Sequence, residues 1–299
     1  MTYSIVAFDP ETGDLGIAVQ SKFPNVGGLV PHARAGHAAV ATQAFGNPAL
    51  ANRILALVSL GTGAREALNI ALRSDPDQAS RQFGVVDAAG HPAAFTGAVV
   101  RTWPGFAGDA QGAHCTAQGN GLAGPGVVEA MVRTFETASS DTLAHRLVDA
   151  LQAGETAGGE LRGQQSAALV VVREGGGYGG ADDRLVTISI YDHAEPIDEL
   201  ARCLAIHGLS YFPSQPDNLV PIDPALAREL KGILTALNFL RDEGDPEHWD
   251  AAAIGAMERL MGWANYDNRI RDDALIDREV LDDLRRSFTA GTIVPAPRG

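Results

Sequence analysis

The residue pair with the clearest chemical potential lies at the start of the sequence, where Met1 precedes Thr2. Removal of Met1 would give Thr2 a free α-amine beside its own hydroxyl group, so that one residue carries both a nucleophile and a base. An α-amine titrates at about pH 8, and a useful fraction is therefore unprotonated at neutral pH. The alternative is that Thr2 simply opens an N-terminal edge strand.

Three amide side chains lie at or just beyond the predicted ends of strands, where sites on sheets often form. They belong to Gln43, Gln118 and Asn120. Glycines flank Asn120 and let the backbone approach a ligand closely, and the Asn side chain offers both a donor and an acceptor. These three residues are candidate substrate contacts. For Asn120, a helix-entry turn is the competing interpretation.

A helix is predicted to begin at Pro48, shortly after Gln43, because Asn47-Pro48 combines a typical helix cap with a proline suited to the first turn. Backbone N–H groups at a helix N-terminus favour an anion. The N–H groups of Ala44, Phe45 and Gly46 are therefore candidate donors to the oxyanion of amide hydrolysis. One good donor of this kind lowers the barrier by about 3–4 kcal/mol.

No cysteine or histidine pattern indicates a metal site. Cys115 and Cys203 lie far apart without CxxC spacing, and the eight histidines fit no HExxH motif. Cys115 follows a histidine and could be read as a thiol nucleophile, but its strand pattern favours a buried core residue. We therefore expect neither a metal nor an organic cofactor.

Composition excludes several classes of protein. The chain has 299 residues, of which 45% are hydrophobic and 20% charged, so it is globular and long enough for two domains. A net charge of −14 without a basic block argues against nucleic acid as a partner. No stretch has the length and apolar character of a membrane span, and no secretory signal is visible. We expect a cytoplasmic protein with reduced thiols.

The elements that must position the candidate residues are predicted as strands and two pairs of helices. Together they predict an α+β fold, a four-layer αββα sandwich over residues 1–205. The predicted strands are Ser4–Phe8, Leu15–Ser21, Gly28–Val30, His37–Gln43, Gln82–Asp87, Ala93–Thr96, Cys115–Gln118, Ser166–Arg173 and Leu185–Tyr191. The predicted helices run from Pro48 to before Gly61 and over Ala64–Arg73, Val127–Thr137 and Asp141–Gln152.

From about residue 195 the pattern is helical only. A Pro-rich link over Tyr211–Pro221 suggests a boundary near residue 206, followed by a small all-α domain over 206–288 and a loose tail over 289–299. The predicted helices are Ile197–His207, Pro224–Leu240, Asp250–Gly262 and Asp277–Ser287.

Four stretches of the first domain carry a family resemblance: TYSIVAFDPETGDLGIAVQSKF, VPHARAGHAAVATQAF, AQGNGLAGP and RGQQSAALVVV. They resemble the bacterial family named domain of unknown function 1028, which is grouped with the N-terminal-nucleophile (Ntn) hydrolases. The same residues resemble the proteasome β subunits more distantly, through element order and short strings. The resemblance implies an Ntn fold and amide hydrolysis.

The proteasome resemblance also implies roles for single residues. Thr2 matches the N-terminal nucleophile, and Ser166 matches a serine that contacts the terminal amine. The active-site lysine has no clean match, so Arg34, which lies nearest in spacing, and Lys22 are alternative cations.

Two carboxylates of the proteasome network have no counterpart in this chain. Gln20 and Gly163 stand in their places. The segment from Gln43 to Gly46 matches the loop that donates to the oxyanion, and Ser21 matches a serine at the end of the second strand.

The segments WANYDNR (263–269) and IDREVL (276–281) carry a second resemblance, to a small helical module described as peptidoglycan-binding. Exposed Trp263 and Tyr266 would suit sugar stacking, and Arg269 would suit a carboxylate. The alternative is that these aromatic residues are core residues at a helix end.

Two classes of function remain. The first is an Ntn amidohydrolase that cleaves a small amide, a ureido compound or a short peptide. The second is a non-catalytic Ntn-fold protein that binds a metabolite or a partner. A cell-wall amidase or binder, with glycan contact through the C-terminal domain, is a weaker third hypothesis. The sequence leaves homo-oligomer formation open.

Overall fold

The computed structural model describes residues 1–138, 142–241 and 244–297. Two units can be distinguished, Met1–Leu204 and Ala205–Gly299. Asp141, predicted as the first residue of the fourth helix, lies outside the described residues, as do the last two residues of the predicted tail. None of the described helices combines the length and the apolar character that crossing a membrane requires.

The first strand, β1 (Thr2–Phe8), lies inside a six-stranded antiparallel sheet. It pairs with β2 (Leu15–Ser21) on one side and with β8 (Cys115–Leu122) on the other. The edge-strand alternative for this segment is therefore wrong. Its long apolar run reflects burial on both faces of the sheet. The full strand order is β10 (Arg184–Ile190), β9 (Ser166–Val172), β2, β1, β8 and β7 (Phe106–Gln111).

A second antiparallel sheet contains four strands in sequential order. Helices α1 (Pro48–Ser59) and α2 (Ala64–Arg73) bury their apolar stripes against one face of it. As predicted, Asn47 caps α1, and its side chain accepts hydrogen bonds from the backbone N–H groups of Ala49 and Leu50. The four strands are β3 (Pro31–Arg34), β4 (Ala38–Ala44), β5 (Arg81–Asp87) and β6 (Pro92–Thr96).

Helices α3 (Gly126–Thr137) and α4 (Leu143–Thr156) contact the six-stranded sheet. Tyr3 of β1 reaches α4, where its hydroxyl donates to Glu155 Oε2 at 2.8 Å. The opposite face of this sheet packs on the four-stranded sheet through small apolar residues such as Val6, Ile17 and Ala39. The unit is thus a mixed α and β fold with two packed antiparallel sheets.

Three strand predictions differ from the structure. The predicted strand Gly28–Val30 does not form: a 3-10 turn over Val26–Gly28 follows Asn25, which is in a left-handed conformation, and the strand begins later, as β3 at Pro31. Strand β7 was not predicted, since its sequence FAGDAQ contains few strand-forming residues. Strand β8 runs to Leu122, so Asn120 lies within the strand rather than in a loop.

The C-terminal part is helical, and a short two-stranded pair adds to the predicted helices. Strands β11 (Leu219–Pro221) and β12 (Leu275–Asp277) pair antiparallel, which the all-helical prediction missed because each has only three residues. A separate apolar core lies here. The helices are α5 (Pro196–Tyr211), α6 (Pro224–Ala236), α7 (Ala251–Trp263) and α8 (Arg278–Thr289), which makes eight α-helices among the described residues.

The described part of the predicted tail is attached rather than loose. Trp263 Nε1 donates to the carbonyl oxygen of Val294 at 2.9 Å, and the N–H of Ala296 donates to the carbonyl oxygen of Leu237 at 2.9 Å. Ile293 and Ala296 also pack against the helical core. Residues 289–297 therefore belong to the second unit.

We predict that Cys115 is chemically silent in the native protein. It is fully buried in β8, and burial raises the pKa of its thiol to about 12. At pH 8 only about one such thiol in 10⁴ is ionised. Native treatment with iodoacetamide should modify the half-buried Cys203 first, and Cys115 only in denaturant, as read from peptide masses. If Cys115 of a Cys203→Ser variant were labelled without denaturant as fast as Cys203 is in the wild type, this prediction would be contradicted.

Candidate functional site

A row of polar side chains crosses four adjacent strands at the start of β1. In the sheet register, Ser166 lies opposite Ser21, Ser21 lies opposite Thr2, and Thr2 lies opposite Asn120. Residues directly opposite one another in antiparallel strands project from the same face. All four are buried, on the face that packs against the second sheet. Three predicted site residues thus share one row with Ser21.

Thr2 takes part in a chain of hydroxyl groups. Its Oγ1 lies 2.9 Å from Ser21 Oγ, and Ser21 Oγ in turn donates to the carbonyl oxygen of Met1 at 2.8 Å. Because a serine hydroxyl carries a single proton, Thr2 must be the donor in the first bond. The Thr2 hydroxyl proton therefore points at Ser21, and the lone pairs of Thr2 Oγ1 take no part in that hydrogen bond.

Ser166 occupies the row but has partners in a different segment. Its hydroxyl donates to the carbonyl oxygen of Phe23 at 2.5 Å and accepts from the N–H of Val26 at 3.1 Å. Its one proton is therefore committed to the chain segment that follows β2. In this structure Ser166 supports that segment and lies two strands away from Thr2.

A network of buried amide side chains links the two sheets below the row. Gln82 of β5 is its centre, because its Oε1 accepts from Gln43 Nε2 at 2.9 Å and from Asn120 Nδ2 at 2.8 Å. Gln82 Nε2 donates to the carbonyl oxygen of Gly119 at 2.7 Å. Gln43 and Asn120 therefore share a partner that sequence reasoning missed. Gln82 had no signal beyond its place at the start of a strand.

Ser4 and Gln118 extend the network along β1. Ser4 Oγ donates to Gln43 Oε1 at 2.7 Å and accepts from Gln118 Nε2 at 2.6 Å. Gly84 makes room for the Gln118 side chain, since a Cβ at position 84 would lie 2.0 Å from its Oε1. Because Ser4 and Thr2 project from the same face of β1, this bonding fixes the face that Thr2 presents.

One acceptor in the row has no partner in the part of the chain that the structure describes. Asn120 Oδ1 is buried and accepts no hydrogen bond from the described residues. An unpaired buried polar group costs about 1–3 kcal/mol, so native proteins keep few of them. Because Asn120 lies opposite Thr2, this oxygen is available to a donor at the start of β1.

A buried acidic residue lies beside Met1. Glu160 is 4% exposed and accepts from Arg162 Nε at 2.6 Å and from the N–H of Lys22 at 2.8 Å. Arg162 Nη2 also donates to the carbonyl oxygen of Met1 at 3.2 Å. Burial raises the pKa of Glu160, and burial likewise lowers the pKa of the Met1 ammonium group. Sequence reasoning missed Glu160 because its position depends on a bridge to Leu122 of β8.

The side chains of the two predicted cations bond to partners other than Thr2. Lys22 is exposed, and its Nζ donates to the carbonyl oxygen of Gln164 at 2.9 Å. Arg34 contacts Ser59 Oγ at 3.2 Å, at the C-terminal end of α1, whereas Gln43 precedes the N-terminal end of that helix. The structure therefore does not bring Arg34 to Thr2. The cation that contacts the start of the chain is Arg162.

Of the three predicted donors of the oxyanion loop, the N–H of Phe45 is engaged in another hydrogen bond. Ala44 adopts a left-handed conformation with φ of 65°, and the N–H of Phe45 donates to the carbonyl oxygen of Ser80 at 3.2 Å. The N–H of Asn47 donates to Thr42 Oγ1 at 2.9 Å. The Phe45 ring is 61% exposed. Phe45 thus lines the surface of this loop and offers no free backbone donor.

The Arg81 side chain also binds the loop that contains Phe45. Its Nη1 donates to the carbonyl oxygen of Phe45 at 2.7 Å, and its Nε forms an ion pair with Asp75 at 2.8 Å. The Arg81 guanidinium lowers the pKa of the Asp75 carboxyl below its usual range. This ion pair, which the sequence did not suggest, anchors the loop after β4.

Two of the three residues considered for glycan contact are enclosed in the second unit. Tyr266 is buried, and its hydroxyl donates to Asp283 Oδ2 at 2.5 Å. Arg269 is buried in an ion pair with Asp277 at 2.9 Å. Trp263 is half-exposed. In the part of the chain that is described, no three His, Cys, Asp or Glu side chains are arranged to hold a metal ion.

Comparison with known proteins identifies the family. A model described as a family of unknown function (DUF1028) matches residues 2–200. A crystal structure from the same family, protein SPO2555 from Silicibacter pomeroyi, is 31% identical with a TM-score of 0.62, and the match covers 69% of this chain and 86% of that chain. The chain therefore belongs to the DUF1028 family.

A second solved structure has a much weaker likeness. Anbu (ancestral beta-subunit) from Yersinia bercovieri is 12% identical with a TM-score of 0.33, and the match covers 72% of this chain and 98% of that chain. A search of curated proteins returned no match.

We predict that Gln82→Leu strongly destabilises the protein. The change removes the acceptor of Asn120 Nδ2 and leaves Gln43 Nε2 only the carbonyl oxygen of Gln118 at 3.2 Å, so we expect the free energy of unfolding to fall by about 3 kcal/mol or more. Urea denaturation measures the change. Gln111→Leu, at an exposed strand position, is the control and should alter stability by less than about 0.5 kcal/mol. Similar effects of the two variants would contradict the role of the network.

We predict that the Asp75–Arg81 pair makes stability dependent on acid pH. Because the folded-state pKa of Asp75 is lowered from 3.8, its contribution is complete above that value and is lost as the pH falls through the folded-state pKa. Asp75→Asn should lower the free energy of unfolding by about 1–3 kcal/mol at pH 7. The difference from wild type should become smaller at about pH 3 in urea titrations.

The control for this prediction is Asp77→Asn. Asp77 is exposed and lies 3.6 Å from Arg81, so its removal should cost less than about 1 kcal/mol. A pH-independent difference between wild type and Asp75→Asn would show that the charge of Asp75 does not carry the effect.

Proposed function

We propose that this protein is an Ntn amidohydrolase in which Thr2 is the nucleophile after removal of Met1. The observation that carries the proposal is the buried hydrogen bond from Thr2 Oγ1 to Ser21 Oγ at 2.9 Å. It fixes the hydroxyl at the start of a strand that is paired on both sides, and a rigid support of this kind suits catalysis. The substrate class is a small amide, a ureido compound or a short peptide.

The contacts of the Met1 carbonyl oxygen support a site for acyl transfer. Ser21 Oγ and Arg162 Nη2 donate to this oxygen at 2.8 and 3.2 Å. Two donors at an acyl oxygen beside the nucleophile are what an oxyanion site requires, and each is worth about 3–4 kcal/mol of barrier. They replace the predicted donor Phe45. The α-amine of Thr2 would serve as the base.

We also propose that Met1–Leu204 is a four-layer αββα sandwich of the Ntn type. Support comes from α1 and α2 on one sheet, α3 and α4 on the other, and the apolar faces between the sheets. The free state of both cysteines agrees with a cytoplasmic location.

A non-catalytic binding protein is the second candidate. The observation that favours it is the buried Asn120 Oδ1 atom, which accepts no hydrogen bond from the described residues and is open to a donor on a ligand. While Met1 is present, the nitrogen of Thr2 belongs to an amide and cannot act as a base. Processing of Met1 therefore separates the two candidates.

We predict that protein beginning at Thr2 hydrolyses amides and that Thr2→Ala and Thr2→Val abolish this activity. The isosteric valine keeps the shape and removes only the hydroxyl group, whereas Thr2→Ser should retain measurable turnover. The measurement is amine release from a panel of amides, ureido compounds and short peptides, after intact mass has established that Met1 is absent. Loss of a nucleophile should lower the rate by at least about 10³-fold.

The same protein with Met1 retained is the control and should be inactive. Equal turnover by wild type and Thr2→Val, or turnover that does not depend on removal of Met1, would contradict the mechanism and favour the binding protein.

A further inference from the structure

We propose that the position of Met1 is the acyl-binding subsite of this enzyme and that it selects α-aminoacyl amides with an unbranched apolar side chain. The proposal rests on the function proposed above, because it assigns a substrate class to the same site. The products would be a free amino acid and an amine.

Met1 and the acyl group of an acyl-enzyme would both be attached to Thr2. Met1 is an aminoacyl group attached to the nitrogen of Thr2. In the acyl-enzyme of the proposed reaction, the acyl group would be attached to Thr2 Oγ1 instead. Nitrogen and Oγ1 belong to neighbouring carbons of one residue, so the two acyl positions are adjacent. The surroundings of Met1 therefore report which acyl groups the site accepts.

The Met1 carbonyl group is held by two hydrogen-bond donors. Ser21 Oγ and Arg162 Nη2 both donate to its oxygen. Glu160 holds the Arg162 guanidinium in place at 2.6 Å. The carbonyl of any acyl group in this position would meet the same two donors.

A buried acidic side chain, that of Glu160, lies near the Met1 ammonium group. Glu160 lies near Met1 through Arg162, which it contacts at 2.6 Å and which donates to the Met1 carbonyl oxygen. The Glu160 carboxylate raises the pKa of the Met1 ammonium group against the effect of burial, and it does so by more than the Arg162 guanidinium lowers it. A buried carboxylate interacts strongly with a cation because little water screens it. An acyl group with a free α-amine gains this interaction, and an N-acetylated one loses it.

The Met1 side chain fits against a glycine of β8. It lies against Gly121, where a Cβ would be 2.2 Å from Met1 Sδ and 2.3 Å from its Cγ. Gly121 has a φ of +67°, which also favours glycine. The missing side chain leaves a channel for a linear thioether or alkyl chain. Valine has no atom at the position of Met1 Sδ, the atom nearest to position 121, so a side chain branched at Cβ leaves that space unfilled.

The reaction balances without a further reagent. Thr2 Oγ1 attacks the carbonyl carbon, the C–N bond breaks, and the hydroxyl proton passes through the Thr2 α-amine to the leaving amine. The aminoacyl ester on Thr2 is then attacked by water. The amino acid leaves, and the hydroxyl group of Thr2 is restored.

The test uses full-length protein that begins at residue 2, released from a fusion partner by a protease that leaves no extra residue. Binding is measured by calorimetry with L-methioninamide and N-acetyl-L-methioninamide on the Thr2→Ala form, which cannot consume them. We expect the free amine to bind at least about 10-fold more tightly. Glu160→Gln should remove that preference, and the exposed control Glu129→Gln should keep it.

Hydrolysis is measured in parallel on the Thr2 form with the p-nitroanilides of L-methionine, L-valine and N-acetyl-L-methionine. We expect the order Met above Val, with the acetylated compound at least about 10-fold slower. The comparison of ligands on unmutated protein does not depend on whether Glu160→Gln folds. Gly121→Ala should abolish the advantage of methionine over smaller side chains.

The outcomes separate the two proposals. Thr2-dependent hydrolysis without preference for a free amine would overturn this inference and leave the hydrolase intact. A preference for the free amine in binding, without any Thr2-dependent hydrolysis, would overturn the hydrolase and support an aminoacyl-binding site. Absence of both would overturn both.

Discussion

The hydrogen bonds of the Gln82 side chain are the interaction on which the arrangement of this site depends. One carboxamide accepts from Gln43 and Asn120 and donates to the Gly119 carbonyl oxygen, so it joins both sheets in an interior from which water is excluded. Only an amide offers acceptor and donor capacity together in this shape. An apolar side chain would leave several buried groups unpaired, which makes the network an all-or-none feature of the fold.

The alternation of side chains along β1 carries the effect of this network to Thr2. Thr2 and Ser4 project from the same face, and Ser4 is bonded to Gln43 and Gln118. A register shift by one residue would turn Thr2 toward the helices and leave those amides unpaired. The geometry of the Thr2 hydroxyl group is therefore set by packing that forms when the sheets assemble. For the nucleophile that we propose, packing of this kind is the condition for electrostatic preorganisation.

Local sequence patterns predicted the elements, and long-range pairing decided the site. Apolar runs and the Asn47-Pro48 cap were sufficient for β1, β2 and α1. Glu160 was missed because its role depends on a bridge to a strand far away in the sequence. Arg34, the cation nearest in spacing, contacts Ser59 at the C-terminal end of α1. Spacing along the chain does not indicate which end of a sheet a residue occupies. Strand β7 forms through its partner β8, not through its own propensity.

Several polar and ionisable groups that are destabilised by burial lie near the start of β1. The Met1 ammonium group and the Glu160 carboxyl both lose solvation there, and the Asn120 Oδ1 atom receives no hydrogen bond from the described residues. Each feature lowers stability, and none is needed to hold the sheets together, because Gln82 already does so. Such costs persist where a ligand relieves them. The aminoacyl ligands that we propose carry a cationic amine, which is a donor suited to a buried carbonyl oxygen or to a buried carboxylate.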